Sequence, residues 1–163
     1  MKAFDVLLSL VRAVMFGEEL SSEVRECLTD ERIKKLYKLA KKHDIAHLAA
    51  HAILKNGIPD DSECKAPLVR ERDQAMLRYM LLQHELDELS RVLDGQGIAY
   101  IPLKGSVIRA LYPEPWMRTS CDVDVLVRPE DLDAARDALV EQLGYTLSDV
   151  CTDHDISLFT RSC

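Results

Sequence analysis

No run of eighteen apolar residues occurs in the 163-residue chain, so nothing in it has the length to cross a bilayer as a helix. Cysteine is sparse and unpatterned: Cys27, Cys64, Cys121, Cys151 and Cys163 are odd in number, scattered and never spaced Cys-x-x-Cys. That argues against a zinc ribbon or a disulfide framework and reads as free thiols in a reducing, cytoplasmic setting. A secretory signal is not expected either, because Asp5 and Arg12 interrupt the first apolar segment. There is no basic excess. The formal charge is −7, and residues 91–163 hold 7 basic against 12 acidic side chains. Sequence-independent binding to DNA or RNA needs a basic surface, so it is not expected. Internal repeats and low-complexity segments are absent as well. What remains is a chain with 47% hydrophobic residues, enough for one sizeable core with a helical appendage.

Up to about Leu93 the pattern is helical. Val6, Leu7, Leu10, Val11 and Val14 recur at helical spacing, as do Ile33, Leu36, Tyr37 and Ala40. Asp44 to Lys55 predicts another helix, stopped by Asn56-Gly57, with a loop at Pro59-Asp60-Asp61-Ser62. From Pro67, suited to a first helical turn, a long helix carries Leu77, Met80, Leu81, His84 and Leu89 toward Leu93 until Gly95-Gln96-Gly97 breaks it. Beyond Gly97 the order becomes strand, helix, strand, helix and two further strands. Pro129-Glu130-Asp131 opens a helix with Leu132, Ala135, Leu139 and Leu143, which Gly144 closes. Tyr145–Val150 and Ile156–Thr160 are the last strands, joined by a turn at Thr152-Asp153-His154.

The most informative residues are Asp122-Val123-Asp124, inside the apolar run Cys121 to Val127. Strand side chains alternate, so the two carboxylates share a face, roughly 6.5 Å apart along the backbone. Cys121, Val123, Val125 and Val127 would point into a core. Two like charges side by side destabilise a strand, and a divalent cation removes that repulsion. Oxygen ligands suit Mg²⁺, or Mn²⁺ in its place. Upstream, a short strand runs into Lys104-Gly105-Ser106 and a helix with Val107, Ile108 and Leu111 on its buried side. Ser106 is a natural N-cap, Gly105 lets a phosphate approach the backbone, and Lys104 adds a positive charge.

These residues carry a resemblance. Gly105-Ser106, a spacer and hydrophobic-Asp-hydrophobic-Asp-hydrophobic resembles the signature of the nucleotidyltransferase superfamily that includes DNA polymerase beta. Leu103-Lys104-Gly105, Tyr112-Pro113, Arg118, Asp122 to Val127 and Leu143-Gly144-Tyr145 resemble one branch, the uncharacterised bacterial nucleotidyltransferase-like family. The motif-bearing match runs from about Ile98 to Tyr145. Its spacer of fifteen residues between Ser106 and Asp122 is longer than the general superfamily pattern, and the chain stops at Cys163, about where a third acidic ligand is expected still ahead.

The resemblance implies an α+β fold: a helical N-terminal part over residues 1–95, then a nucleotidyltransferase-like mixed β-sheet with flanking helices over residues 96–163. It implies transfer of a nucleoside monophosphate from a nucleoside triphosphate to a small-molecule or protein hydroxyl, with release of pyrophosphate. Asp122 and Asp124 would be catalytic and hold Mg²⁺; Gly105 and Ser106 would bind the terminal phosphates; Lys104 or Arg118 would neutralise their charge. A third carboxylate would activate the acceptor, and Asp153 and Asp155 are the candidates left. Two other readings are a catalytically silent, shortened member that binds a nucleotide or a partner, and the toxin of a toxin–antitoxin pair. An unfinished sheet edge near Cys163 would favour a homo-oligomer.

Three further features are assigned to structure. His43, His47 and His51 span one arc of their helix opposite Ile45, Leu48, Ala49, Ala52 and Ile53, which predicts a solvated polar face. Met76 and Met80, beside Leu77 and Leu81, are expected in the core. Trp116 and Met117 either shelter a base or anchor a packed loop.

Overall fold

The computed structural model of the chain describes residues 1–57, 61–147 and 159–160. The expected turn at Thr152-Asp153-His154, most of the last strand, and Asp153 and Asp155 lie outside the described residues, as do Pro59 and Asp60. The chain divides into two compact units, Met1–Met80 with Arg109–Thr119, and Leu81–Ile108 with Ser120–Cys163.

The first unit is helical. α1 (Ala3–Phe16), α2 (Ser22–Glu26), α3 (Asp30–Lys42) and α4 (Ala46–Lys55) precede the start of α5 (Lys65–Gly95). The stripes predicted for α1 and α3 are the ones buried: Val6, Leu7, Leu10 and Val14 on one, Ile33, Leu36 and Ala40 on the other. Both pack on α4. Alanine at positions 46, 49, 50 and 52 lets neighbouring backbones close in, and α4 is buried nearly all round.

That burial overturns the histidine expectation. His43 is exposed, but His47 is only 6% exposed. The turn Pro115–Met117 lies against the histidine side of α4, with Trp116 and Met117 in the same core. Of the two readings for Trp116, the packed anchor is the observed one. The His47 Nε2–H donates to the Met117 carbonyl at 2.9 Å, and the His51 ring meets Trp116 edge-on, with centroids 5.2 Å apart. A helical wheel shows which residues share a face, but not that a distant turn will cover the polar one.

α5 holds a second correction. Its buried residues are Leu68, Ala75, Leu89, Val92 and Leu93, while Leu77 is 56% and Met80 63% exposed, and Met76 and Leu81 are exposed beside them. The helix is apolar on two sides, so spacing alone picks the wrong one. Arg109 is buried instead, its guanidinium 5.5 Å from the Tyr79 ring centre, a favourable cation–π distance.

The second unit is α+β. β1 (Tyr100–Pro102) pairs antiparallel with β2 (Val125–Val127) in the register Tyr100↔Val127, Ile101↔Leu126 and Pro102↔Val125. Between them stands a single helical turn, α6 (Gly105–Ile108). α7 (Leu132–Leu143) follows a 3₁₀ turn at Pro129–Asp131 and buries Ala135, Ala138, Leu139 and Leu143. Gly144 caps it at φ 68°, a left-handed conformation that suits glycine. β3 (Thr146–Leu147) pairs antiparallel with β4 (Phe159–Thr160). Tyr100, Val125, Val127 and Tyr145 pack around the α5–α7 core, and the Tyr145 hydroxyl donates to Glu85 at 2.7 Å. The element order agrees with the expectation from the sequence. Cys27, Cys64 and Cys121 are free thiols. Among the described residues no helix is long and apolar enough to cross a membrane.

Burial pushes the His47 imidazole below its ordinary value of about 6.5; the Met117 carbonyl and Glu71 pull it up, and Arg78 pushes it down. His51 is lowered by burial first, then by Lys55 and Arg72, against Glu114. A lowered histidine pKa means the unfolded chain binds more protons below pH 6.5, so stability falls as the pH drops through that value. His47 contributes at most about 1.4 kcal/mol per pH unit. Trp116 is the only tryptophan and reports on this contact directly. The thermal midpoint read from its emission is expected to hold level above pH 7 and fall between pH 6.5 and 5. His47→Gln with His51→Gln should flatten that fall. A midpoint constant over this range in the unsubstituted protein would contradict the buried neutral histidines.

Candidate functional site

The candidate site is built where the chain leaves β1. The Leu103 N–H donates to the Asp124 carbonyl at 2.9 Å, which carries the ladder one position past Pro102↔Val125. Lys104 then turns the backbone at φ 45°, a left-handed conformation that strains a side chain by about 1 kcal/mol. This turn ends the pairing and starts α6. The Val107 and Ile108 N–H groups donate to the Lys104 carbonyl at 3.2 and 2.9 Å.

The cap therefore sits at Lys104, not at Ser106 as expected. Ser106 lies inside the turn, and its Oγ is buried without a hydrogen-bond partner among the described residues. Val107, Ile108 and Leu111 are exposed, against expectation, because the helix lasts one turn before the chain departs into a 3₁₀ turn at Arg109–Leu111.

Gly105 is favoured by close approach. A Cβ placed on it would stand 3.1 Å from the Ser120 Cβ and 3.2 Å from its Oγ, closer than ordinary contact allows. This contact sets the Gly-Ser turn beside the segment leading to the two aspartates. Ser120 was not singled out in the sequence. Its signal is weak, a small residue two positions before Asp122.

The carboxylates are placed differently from each other. Val125 and Val127 face the core as expected, and alternation puts Asp124 on the opposite face with the exposed Leu126. The Lys104 Nζ lies 3.2 Å from Asp124 Oδ2, with the lysine side chain 73% exposed. Asp122 precedes the ladder; it is exposed and makes no ion pair with another described residue. Cys121 is exposed too, not inward, because β1 is only three residues long and leaves nothing for it to pair with. Arg118 belongs to the other compact unit, and its guanidinium donates to the Thr119 carbonyl at 2.6 Å. Of the expected site residues, the second unit holds Lys104, Gly105, Ser106, Asp122 and Asp124.

Among the described residues no group of three or more His, Cys, Asp or Glu side chains is arranged to hold a metal ion. Mg²⁺ commonly takes one or two carboxylates and completes its shell with water and substrate phosphates. Asp122 and Asp124 supply two carboxylates, and the Lys104 ammonium is paired with the second of them.

The family model for an uncharacterised nucleotidyltransferase matches residues 29–162, and the chain belongs to that family. No curated protein and no solved structure matches the chain.

The strain at Lys104 can be measured. Lys104→Ala and Lys104→Gly both remove the ion pair with Asp124, but only glycine accepts φ 45° freely. Lys104→Gly is expected to be more stable than Lys104→Ala by about 1 kcal/mol in chemical denaturation. Equal stabilities would show that the backbone does not take this turn.

Proposed function

We propose that the chain is a Mg²⁺-dependent nucleotidyltransferase that moves a nucleoside monophosphate from a nucleoside triphosphate to a hydroxyl of a small molecule or protein. The observation that carries this reading is the Lys104–Asp124 pair, set at a turn where Gly105 closes against Ser120. In the reaction the acceptor oxygen bonds to the α-phosphorus, the bond to the bridging oxygen breaks, and pyrophosphate leaves with that electron pair. Mg²⁺, when bound, supplies neutralisation of the triphosphate and polarisation of the reacting phosphoryl group.

Asp122 and Asp124 offer the carboxylate oxygens for that ion. Lys104, on a flexible stem and largely exposed, can pass its ammonium from Asp124 to a phosphate oxygen. The Ser106 hydroxyl is buried without a partner among the described residues, so it would meet a phosphate oxygen only where nucleotide binding opens the turn around it. Gly105 lets the turn close against Ser120, which keeps it beside the carboxylate segment where the phosphates would lie. The acceptor's proton requires a further carboxylate, for which Asp153 and Asp155 are the candidates. Lys104, rather than Arg118, is the cation this reading relies on.

Calorimetric titration with each of the four ribonucleoside triphosphates and Mg²⁺ tests the proposal. One or more should bind, and Asp122→Asn or Asp124→Asn should weaken that binding at least ten-fold. Neither change should unfold the protein: relief of like-charge repulsion offsets the exposed ion pair of Asp124, itself worth well under about 1 kcal/mol. Lys104→Gly should weaken nucleotide binding and, by freeing Asp124, leave Mg²⁺ affinity in the absence of nucleotide no weaker. Unaltered nucleotide affinity in both aspartate variants would overturn the assignment.

A further inference from the structure

We propose that the acceptor is a hydroxyl carried on an apolar body, not on a sugar or another polyol, and that Ile101 and Leu126 select it. The inference rests on the nucleotidyltransferase reading and names the acceptor class for that same site. Every residue it uses belongs to the second unit. The inner face of the β1–β2 ladder is accounted for, since Tyr100, Val125 and Val127 pack on the α5–α7 core. On an antiparallel ladder with one solvated face, the outer positions are ordinarily polar. Here they hold Ile101, 59% exposed, directly opposite Leu126, 55% exposed. Side chains opposed in this way stand about 5 Å apart, so the two form one aliphatic surface. Keeping it in water stabilises nothing, because burial is what makes such side chains favourable.

Position along the ladder decides what lies over this surface. Asp124 is two residues before Leu126 and on the same face, roughly 6.5 Å from it along the strand. Leu103 bonds to the Asp124 carbonyl, and the turn at Lys104 follows at once. The outer face therefore runs from the turn, past Asp124, to the Ile101–Leu126 pair. In phosphoryl transfer the attacking and leaving oxygens lie roughly in line through the phosphorus. With the terminal phosphates at Lys104 and the α-phosphorus over Asp124, pyrophosphate departs toward the turn. The attacking oxygen then arrives from the opposite side, over Ile101 and Leu126. The surface consequently meets the acceptor and not the leaving group.

An aliphatic surface sorts acceptors by desolvation. A phenol or a phenyl-substituted alcohol loses water there at a gain, and its one hydroxyl points off the surface toward Asp124. A sugar laid on the same side chains would have its remaining hydroxyls desolvated without partners. The hydroxyl oxygen bonds to the α-phosphorus, the bond to the bridging oxygen breaks, and pyrophosphate leaves with that electron pair. The hydroxyl proton goes to the carboxylate base that the reaction already requires.

Methyl NMR of the full chain, saturated with Mg²⁺ and the triphosphate that binds it best, tests the assignment. N-acetyltyrosinamide and 2-phenylethanol should each shift the Ile101 and Leu126 methyl signals, with Kd on the order of 1 mM for molecules of this size. Ribose and glycerol should shift neither signal at the same concentrations. Ile101→Thr combined with Leu126→Thr keeps strand-forming side chains but makes the surface polar. It should raise both Kd values at least ten-fold while circular dichroism and nucleotide affinity stay as before. Methyl signals that neither aromatic compound moves, with the nucleotide bound, would overturn this inference alone. So would ribose binding there as tightly, or aromatic binding indifferent to the double substitution. A chain that binds no triphosphate would overturn the nucleotidyltransferase reading, and this inference with it.

Discussion

Within three residues the backbone must leave an antiparallel ladder and enter a helical turn, and the left-handed conformation of Lys104 makes that change of direction. Upstream of it, Leu103 still pairs with Asp124; downstream, Val107 and Ile108 already donate to the Lys104 carbonyl. A left-handed lysine is not maintained for its own stability. It persists here because the ladder on one side and the Gly105–Ser120 approach on the other determine where the chain must go. The same conformation aims the Lys104 side chain at Asp124. Backbone strain, the ion pair and the glycine contact are thus one arrangement, and the position of Asp124 depends on all three.

What the sequence made legible follows from how many faces each element buries. α1 and α3 each bury one stripe and leave the rest polar, so apolar spacing alone identifies Val6, Leu10, Ile33 and Leu36 as core. α4 is covered on nearly every side, and there the argument from periodicity fails. His47 is on the polar arc of the helix and is still buried, because Trp116, nearly seventy positions away in the chain, packs over it. α5 fails in the opposite direction. With apolar residues on two sides, its spacing supports two stripes equally, and only the fold shows that Leu68 and Ala75 are the inward ones.

At the site, residue type was readable where chemistry dictates it and geometry was not. Paired aspartates among valines point to a strand over Cys121–Val127, but only Val125–Val127 is one, and both aspartates precede it. Its length could not be read, because it is limited by the turn at Lys104 rather than by anything in the Cys121–Val127 segment. Ser106 has the composition of a cap but not the position, since the left-handed residue before it starts the helix earlier than a serine cap would. Ser120 carries almost no signal, as closeness to Gly105 is a property of two segments and not of either alone.

The fifteen residues between Ser106 and Asp122 have a structural account of their own. Arg109–Thr119 is counted with the helical unit, where Arg109, Trp116 and Met117 are buried and Tyr112 packs against the core. The spacer between the glycine turn and the carboxylates is therefore not a slack connection. It contributes the Trp116 side chain that His47 and His51 face, and the carbonyl that His47 binds. Shortening it would remove core from the first unit, whatever it did to the turn. The spacer carries core of the first unit, and its two ends, Gly105 and Ser120, stand beside each other in the second.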